Sequence, residues 1–197
     1  MDIIPLIYIK NRKLRGAIEG KMLLINELPE QSDVGKLYVK DSDGIEKDEP
    51  NLDIYQKLSE KHDLWVDAGP RMFGDVVDII MAGATSITLR KNLFPTEEIS
   101  NIKEVTETAI YINTDLKDEK QDMASAISHS VDGLVISCNG KQIEDDFKIS
   151  ELFRTMCNKY KVYVAELDEK NISYWTNIGV AGVLLDFETM KKVSKDG

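Results

Sequence analysis

The chain has 197 residues, of which 42% are hydrophobic and 30% are charged. This composition excludes a disordered or fibrous chain, and the length predicts one domain, residues 1–197, with a full core. The 35 acidic and 25 basic residues give a formal net charge of −10, which disfavours nucleic acids and anionic membranes as partners.

Eight short apolar runs with polar C-terminal ends predict eight β-strands. They span residues 3–9, 36–41, 63–67, 86–90, 108–113, 132–138, 161–166 and 181–186. Helical periodicity between the strands predicts helices over residues 52–61, 71–82, 151–159 and 187–194. Asn51 or Asp53 is the expected N-cap of the first of these helices. Eight β-then-α units predict a compact, closed (β/α)8 TIM barrel in the α/β class, with an open doubly wound sheet as the alternative.

The polar residues at the strand ends are the candidates for function, because parallel barrels place their active sites at that rim. Residues 37–44 show the pattern most clearly. We expect Asp41 to point into the barrel mouth as an acid, a base or a contact to a substrate hydroxyl. Asp43, in the following loop, has the same possible roles. A helix or loop cap is the alternative for Asp41, and for Asp43 it is as good as the functional interpretation. If Asp41 faces inward, strand alternation turns Lys40 outward, which argues against a Schiff-base role for Lys40.

Several segments in the first half of the chain form a recognisable set of motifs. They are Ile3-Ile4-Pro5, 13–20, 37–44, Pro50-Asn51-Leu52, 67–71, Asp75 and Ala82-Gly83-Ala84. Together they resemble the histidine-biosynthesis isomerase and cyclase barrels. The resemblance points to an archaeal-type branch related to the phosphoribosyl-formimino-aminoimidazole-carboxamide ribotide isomerase. It covers residues 3–92 by motif and 108–186 by strand spacing, and it implies the barrel without by itself implying the activity.

The resemblance implies two catalytic aspartates, at the ends of the first and fifth strands, and both are replaced here. Tyr8 stands at the first position and Asn113 at the second. Tyrosine has an ordinary pKa near 10 and the asparagine amide does not titrate near pH 7, so neither replaces a carboxylate in proton transfer. Asp115 lies two residues farther along, in the loop, and could stand in. We therefore expect ribotide isomerase activity to be absent or very low.

The resemblance also implies a substrate with two phosphates, held by glycine-rich turns after strands three and four and after strands seven and eight. At the last two strands Glu166, Asp168 and Asp186 replace the glycines and would repel a phosphate. The candidate residues for the other phosphate site are Gly69, Arg71, Arg90 and Lys91. An anion at the mouth is expected on that side, although solvated rim charges are an equal alternative for the cations at positions 90 and 91.

The carboxylates at the strand ends admit a structural interpretation and a metal-binding one. Asp67 needs a partner as a buried carboxylate, and a structural pair with Arg71 is the alternative to a catalytic role. Four carboxylates at different strand ends could bind Mg²⁺ if they converged. They are Asp41, Asp67, Glu166 and Asp186. Because four separate strands would have to converge, we expect no metal. The candidate catalytic residues are Tyr8, Asp41, Asp67 and Asn113.

Two classes of function remain open. One is an isomerase-like or lyase-like enzyme that acts on a small metabolite with one phosphate, and the other is a non-catalytic binding or assembly protein. Loss of the two aspartates favours the second class, whereas the charged rim favours the first. Cys138 and Cys157 have no metal-ligand spacing and indicate reduced thiols, and residues 1–5 lack the basic segment of a signal peptide. We expect a soluble cytoplasmic protein without a cofactor, and the sequence leaves its oligomeric state open.

Overall fold

The computed structural model describes residues 1–17, 20–28, 35–114, 131–137, 147–166 and 169–196. Its strands are β1 (Asp2–Lys10), β2 (Lys13–Arg15), β3 (Lys36–Asp41), β4 (Asp63–Asp67), β5 (Ala84–Arg90), β6 (Ala109–Thr114), β7 (Gly133–Ser137), β8 (Val162–Glu166) and β9 (Gly182–Asp186). The α-helices in these ranges are α1 (Ser42–Lys47), α2 (Leu52–Ser59), α3 (Phe73–Met81), α4 (Ile99–Val105), α5 (Phe147–Lys159), α6 (Ile172–Ile178) and α7 (Phe187–Asp196). In this part of the chain, no helix combines the length and the apolar character needed to cross a membrane.

Eight of the strands form a closed parallel barrel. From β3 to β9 each strand pairs in parallel with the next one along the chain, and β1 pairs in parallel with both β3 and β9. The β1–β9 register, from Asp2 opposite Gly182 to Leu6 opposite Asp186, closes the ring. The predicted closed α/β barrel is therefore confirmed, and the alternative of an open doubly wound sheet is wrong. Strand β2 folds back antiparallel onto β1 outside this ring.

The eight predicted strands all form, with ends that differ by at most two residues from the predicted ones. The helices predicted over 52–61 and 71–82 form as α2 and α3, and those predicted at 151 and 187 form as the longer α5 and α7. Helix α1, which begins directly after β3, and the hairpin formed by β1 and β2 were not predicted. The short helix α1 contains Asp43 and is capped by Asp41, so both carboxylates at the end of β3 belong to its N-terminus.

The core has two layers, because parallel strands bury side chains on both faces. The outer layer lies between the strands and the helices, and Trp175 of α6 is fully buried in it. The inner layer fills the barrel with Ile4, Leu6, Tyr8, Tyr38, Trp65, Tyr111, Val135, Tyr163 and Leu184. Trp65 lies at its centre. Its ring centroid is 3.9 Å from that of Tyr111 and 4.8 Å from that of Tyr163. This packed interior confines any ligand to the ends of the barrel.

Candidate functional site

A group of polar side chains points into the barrel at the C-terminal ends of its strands. Each lies two residues beyond an interior residue of the same strand, and alternation in a strand turns both to the same face. We call this group the mouth cluster: Tyr8, Lys40, Asp67, Arg90, Asn113 and Asp186. Tyr8 is the register partner of Lys40, and Lys40 is that of Asp67, so these three residues form one row across β1, β3 and β4.

Asp67 and Arg90 form the central ion pair of the mouth cluster. Arg90 donates from Nε to Asp67 Oδ1 at 2.9 Å and from Nη2 to Oδ2 at 2.6 Å. The Tyr38 hydroxyl donates to Oδ2 at 3.2 Å, and Asp67 is only 1% exposed. Burial disfavours the charge on Arg90, but Asp67 outweighs it and raises the pKa of the guanidinium. The expected structural pair of Asp67 with Arg71 is therefore wrong, because Arg90 on the neighbouring strand reaches this carboxylate instead.

Arg71 binds helix α1 outside the barrel. Its Nη1 donates to Asp48 Oδ1 at 2.7 Å and to the carbonyl of Gly44 at 3.2 Å, and its Nη2 donates to the carbonyl of Ile45 at 3.1 Å. A cation at this position satisfies carbonyls at the C-terminal end of a helix. Gly69 packs on the same helix with a positive φ of 64°, where an added Cβ would lie 3.0 Å from Ile45 Cα.

The predicted phosphate-binding residues thus fall in different places. The structure gives Arg90 a place in the mouth cluster, whereas Gly69 and Arg71 contact α1. Lys91 follows the last residue of β5 and is half-buried. A role of these four residues in binding an anion stays a prediction, and Arg90 is the one among them that the strand geometry directs into the mouth.

Asp41 does not point into the mouth as expected, because it follows Lys40 and faces the helix layer. It is fully buried, and its Oδ1 accepts from the backbone N–H groups of Asp43 at 3.0 Å and Gly44 at 3.2 Å. Its Oδ2 accepts from the backbone N–H of Asn51 at 2.8 Å and from the Tyr55 hydroxyl, and the Asn51 amide donates to both oxygens at 3.0 Å. Asp41 therefore caps α1, and Asn51 serves this carboxylate rather than capping α2 with its side chain.

Asp43 anchors the turn of the β1–β2 hairpin, in agreement with the loop-cap alternative. Its oxygens accept from the backbone N–H groups of Asn11 at 3.0 Å and Arg12 at 2.8 Å. Both turn residues have positive φ, 53° and 58°, as this kind of tight hairpin turn requires. Desolvation opposes ionisation of Asp43, but these bonds and those from Lys47 and Asn51 lower its pKa to about 2.

Lys40 faces into the mouth, so the expectation that it points outward is wrong. Its strand neighbour Tyr38 belongs to the barrel interior, and alternation places Lys40 on the same face. Lys40 is half-buried, and its ammonium forms no hydrogen bond, and no ion pair within 4.0 Å, with any residue that the structure describes. Desolvation lowers the pKa of its ammonium, against the opposing attraction of Asp67 and Asp186. This amine is the functional candidate that the strand-end pattern missed.

Asp186 and Tyr8 meet on the other side of the mouth. Asp186 is 5% exposed, and its Oδ1 is buried without a hydrogen-bond partner among the described residues. Burial raises the pKa of this carboxyl, whereas the Tyr8 hydroxyl and Lys40 lower it in part. Burial and then the Asp186 charge raise the pKa of Tyr8, so Tyr8 stays a protonated hydroxyl near neutral pH. A buried oxygen left without a partner is costly, which makes this carboxyl a natural contact for a ligand.

The hypothesis of four converging carboxylates is wrong, since Asp41 faces away from the barrel interior and Arg90 occupies Asp67. The described residues hold no group of three or more side chains of the His, Cys, Asp and Glu types that could bind a metal ion. The side chain of Glu166, and the residues Asp115, Cys138 and Asp168, lie outside the described part of the chain. Asn113 donates from Nδ2 to the Val135 carbonyl at 3.3 Å, which fixes its amide at the rim.

The opposite end of the barrel has a cavity of about 460 Å³, lined by Lys36, Asp63, Tyr111 and Tyr163 among others. Two of its charged groups, Lys36 and Asp63, are paired: Lys36 Nζ donates to the Ser86 hydroxyl at 2.8 Å and lies 3.5 Å from Asp63 Oδ2. Barrels of this kind place their active sites at the C-terminal ends of the strands. The mouth cluster is therefore the better candidate site.

Comparison with known proteins finds no family model that matches the chain, and no curated protein matches it significantly. The resemblance to the histidine-biosynthesis barrels thus stays a prediction. The contacts, burial and charges of the mouth cluster are therefore the evidence for its function.

Proposed function

We propose that this chain is an enzyme with isomerase-like or lyase-like chemistry that acts on a small metabolite with a carbonyl group and one phosphate. On this proposal it is a compact (β/α)8 barrel, a divergent relative of the ribotide isomerase that lacks the isomerase activity. The observation that carries the proposal is the buried Oδ1 of Asp186, which has no hydrogen-bond partner in the described part of the chain and lies in a cluster that also holds the amine of Lys40.

Lys40 and Asp186 support acid–base chemistry because burial moves their pKa values towards neutrality from opposite sides. The pKa of the Asp186 carboxyl is raised, so more of it is protonated at a given pH and can donate. The pKa of the Lys40 ammonium is lowered, so more of it is neutral and can accept a proton. A pair of groups whose environments perturb their pKa values in this way is typical of general acids and bases. Proton transfer next to a carbonyl is what isomerase-like and lyase-like reactions require.

Tyr8 and Asn113 are suited to orienting a substrate rather than to transferring protons. Tyr8 remains a hydroxyl because burial and the neighbouring Asp186 raise its pKa. The amide of Asn113 is fixed by its bond to the Val135 carbonyl and carries no titratable group. Both residues can therefore hydrogen-bond to substrate oxygens, while neither replaces an aspartate of the ribotide isomerase reaction.

Two inward-facing cations support an anionic substituent on the substrate. Arg90 uses Nε and Nη2 on Asp67, and its Nη1 has no partner among the described residues. Lys40 is the register partner of Asp67 on β3, so it flanks Asp67 on the side opposite to Arg90. A phosphate between Lys40 and Arg90 would gain charge-assisted hydrogen bonds, and it would avoid the carboxyl of Asp186.

The alternative, a non-catalytic binding or assembly protein on the same barrel, is favoured by the state of the other carboxylates. Three hydrogen bonds from Arg90 and Tyr38 occupy Asp67, and Asp41 and Asp43 support the fold. Asp186 is then the one carboxyl of the described mouth that is available for chemistry. Turnover of a bound metabolite separates the two functions, because a binding protein returns its ligand unchanged.

A thermal-shift screen of sugar phosphates, pterin-like compounds and aminoimidazole metabolites tests the proposal. A ligand at 100 times its Kd should stabilise the wild type by about 2.7 kcal/mol, which is about 5–10 °C for a chain of this size. Asp186→Asn should abolish the shift. The control Asp63→Asn, at the opposite end of the barrel, should retain it. Hits are then followed for turnover by NMR, and a ligand that stabilises both variants as well as the wild type would contradict a site at the mouth.

A further inference from the structure

We propose that Lys40 Nζ forms an imine with the carbonyl carbon of the ligand, which is an aldehyde or ketone with an anionic group. The inference rests on the proposed function, since it requires a small carbonyl compound in the mouth cluster. It is carried by one juxtaposition: an inward lysine amine in a row with Tyr8 and Asp67, near a buried carboxyl oxygen of Asp186 that has no hydrogen-bond partner among the residues the structure describes.

The surroundings of Lys40 leave its amine available for a covalent bond. The neighbouring Asp67 is held by Arg90 and Tyr38, so it does not bind the lysine. No carboxylate of the described residues lies within 4.0 Å of Lys40 Nζ. The charges that face this amine are Asp67, Arg90, Asp186 and, from α1, the exposed Glu46. A nucleophilic lysine needs a neutral amine, and partial burial of Lys40 favours that form.

Asp186 supplies the proton that imine formation requires. The Lys40 amine adds its lone pair to the carbonyl carbon, the π electrons move to oxygen, and the excess proton on nitrogen passes to that oxygen. The carboxylic acid of Asp186 then protonates the hydroxyl, which leaves as water while the nitrogen lone pair forms the C=N bond. The products are a protonated imine and the Asp186 carboxylate, so one proton is consumed and no oxidant or reductant is needed.

The protonated imine defines the substrate class and the reaction. Its nitrogen withdraws electrons from the adjacent carbon, where either a C–H proton passes to the Asp186 carboxylate, or the C–C bond to a hydroxyl-bearing carbon breaks while the hydroxyl proton passes to that carboxylate and an aldehyde or ketone is released. Either step leaves an enamine, and the Asp186 carboxylic acid returns its proton to carbon to give an imine again. The first outcome is isomerase-like and the second is lyase-like. Water then hydrolyses the imine and restores Lys40. An anionic group on the substrate would lie towards Arg90, because its Nη1 has no partner among the residues described.

Reductive trapping tests the inference on the intact chain. The protein is incubated at pH 7 with dihydroxyacetone phosphate, or separately with glyoxylate, in the presence of sodium cyanoborohydride, and proteolytic peptides are mapped by mass spectrometry. Lys36 is the matched control because it lies on the same strand and face, at the opposite end, where it is bonded to Ser86. Lys40 should be modified faster than Lys36, because its amine faces the mouth without a described partner, whereas the Lys36 ammonium donates to Ser86 and lies 3.5 Å from Asp63.

Three variants make the result decisive. Lys40→Arg should lose the adduct, Lys36→Arg should keep it, and Asp186→Asn should slow it by about 10²-fold as a lost proton donor. Circular dichroism checks that each variant is folded. If a variant does not fold, the comparison of Lys40 with Lys36 in the wild-type peptide map still tests the inference. Equal modification of Lys40 and exposed lysines would overturn the inference. Stabilisation by the probe without any adduct would also overturn it but leave the proposed function intact, whereas neither stabilisation nor adduct would overturn both.

Discussion

Asp41→Asn distinguishes a carboxylate that supports the fold from one that takes part in chemistry. The substitution keeps the size of the side chain and one acceptor oxygen, and it replaces the other oxygen with an NH₂ donor. In the folded chain both oxygens of Asp41 accept several hydrogen bonds, and the side chain is fully buried. The new NH₂ group would face at least two donors, such as the Asn51 backbone N–H and the Tyr55 hydroxyl.

The expected loss of stability follows from those contacts. Hydrogen bonds to a charged group contribute about 1.5–3 kcal/mol each, so losing two of them should lower the free energy of unfolding by about 3–6 kcal/mol. That is a large share of the about 5–15 kcal/mol by which a typical domain is stable. Asp41→Ala should cost at least as much, because it leaves every donor in this cluster without its acceptor.

Urea unfolding followed by far-UV circular dichroism measures the effect. At an m value of about 2 kcal/mol/M, the midpoint should fall by about 1.5–3 M. Asp53→Asn is the control, since Asp53 is exposed and pairs with Arg12 at 3.0 Å, and it should cost less than about 1 kcal/mol. An Asp41→Asn variant as stable as the wild type, with ligand binding or turnover lost, would refute the structural role and restore the catalytic one.

Three further predictions concern the residues around the mouth. Stability should fall between about pH 4 and pH 2 as Asp43 is protonated, because its pKa is lowered from 3.8 to about 2 on folding, and Asp43→Asn should flatten that part of the stability curve. Asp67→Asn should cost about 3–5 kcal/mol in urea unfolding, since Arg90 stays buried without its charge partner. Gly44→Ala should cost about 1–3 kcal/mol, because an added Cβ would lie 2.5 Å from the Ala68 carbonyl oxygen.

Each of these predictions has an outcome that would contradict it. An unchanged pH profile in Asp43→Asn would show that other carboxyls cause the acid loss. In a double-mutant cycle, Asp67→Asn combined with Arg90→Gln should cost less than the sum of the single changes, and strict additivity would mean that the two residues are not coupled. A Gly44→Ala variant more stable than the wild type would mean that the helix gains more from alanine than the contact with Ala68 costs.

The barrel was predictable from the sequence because a parallel strand buried on both faces reads as a short apolar run between polar ends. That same double burial explains why the direction of the side chains at the strand ends was not predictable. In β3 the residues on both faces are apolar, so the run itself does not show whether Lys40 or Asp41 continues the inner face. The alternation from Tyr38 to Lys40 is the available signal, once an aromatic core inside the barrel is assumed.

Local and long-range effects account for the remaining differences. Asp41 is followed at once by a helix, and its capping role depends on Asn51 and Tyr55, which approach only after the chain folds. The pairing of Asp67 with Arg90 joins neighbouring strands. The sequence suggested Arg71 instead, because Arg71 is the nearest cation to Asp67 along the chain. Tyr8 and Asn113, which the resemblance places at the ends of the first and fifth strands, lie in the mouth cluster because each follows an inward-facing residue two positions earlier in its strand.

Both the proposed function and the imine require the mouth cluster to bind a small anionic carbonyl compound. The most direct test is a crystal structure of the wild-type chain soaked with dihydroxyacetone phosphate. The phosphate should lie between Lys40 and Arg90, with the carbonyl carbon next to Lys40 Nζ and a carbonyl or hydroxyl oxygen on Asp186. An empty mouth, with the compound bound instead beside Arg71 or at the opposite end of the barrel, would contradict the claim.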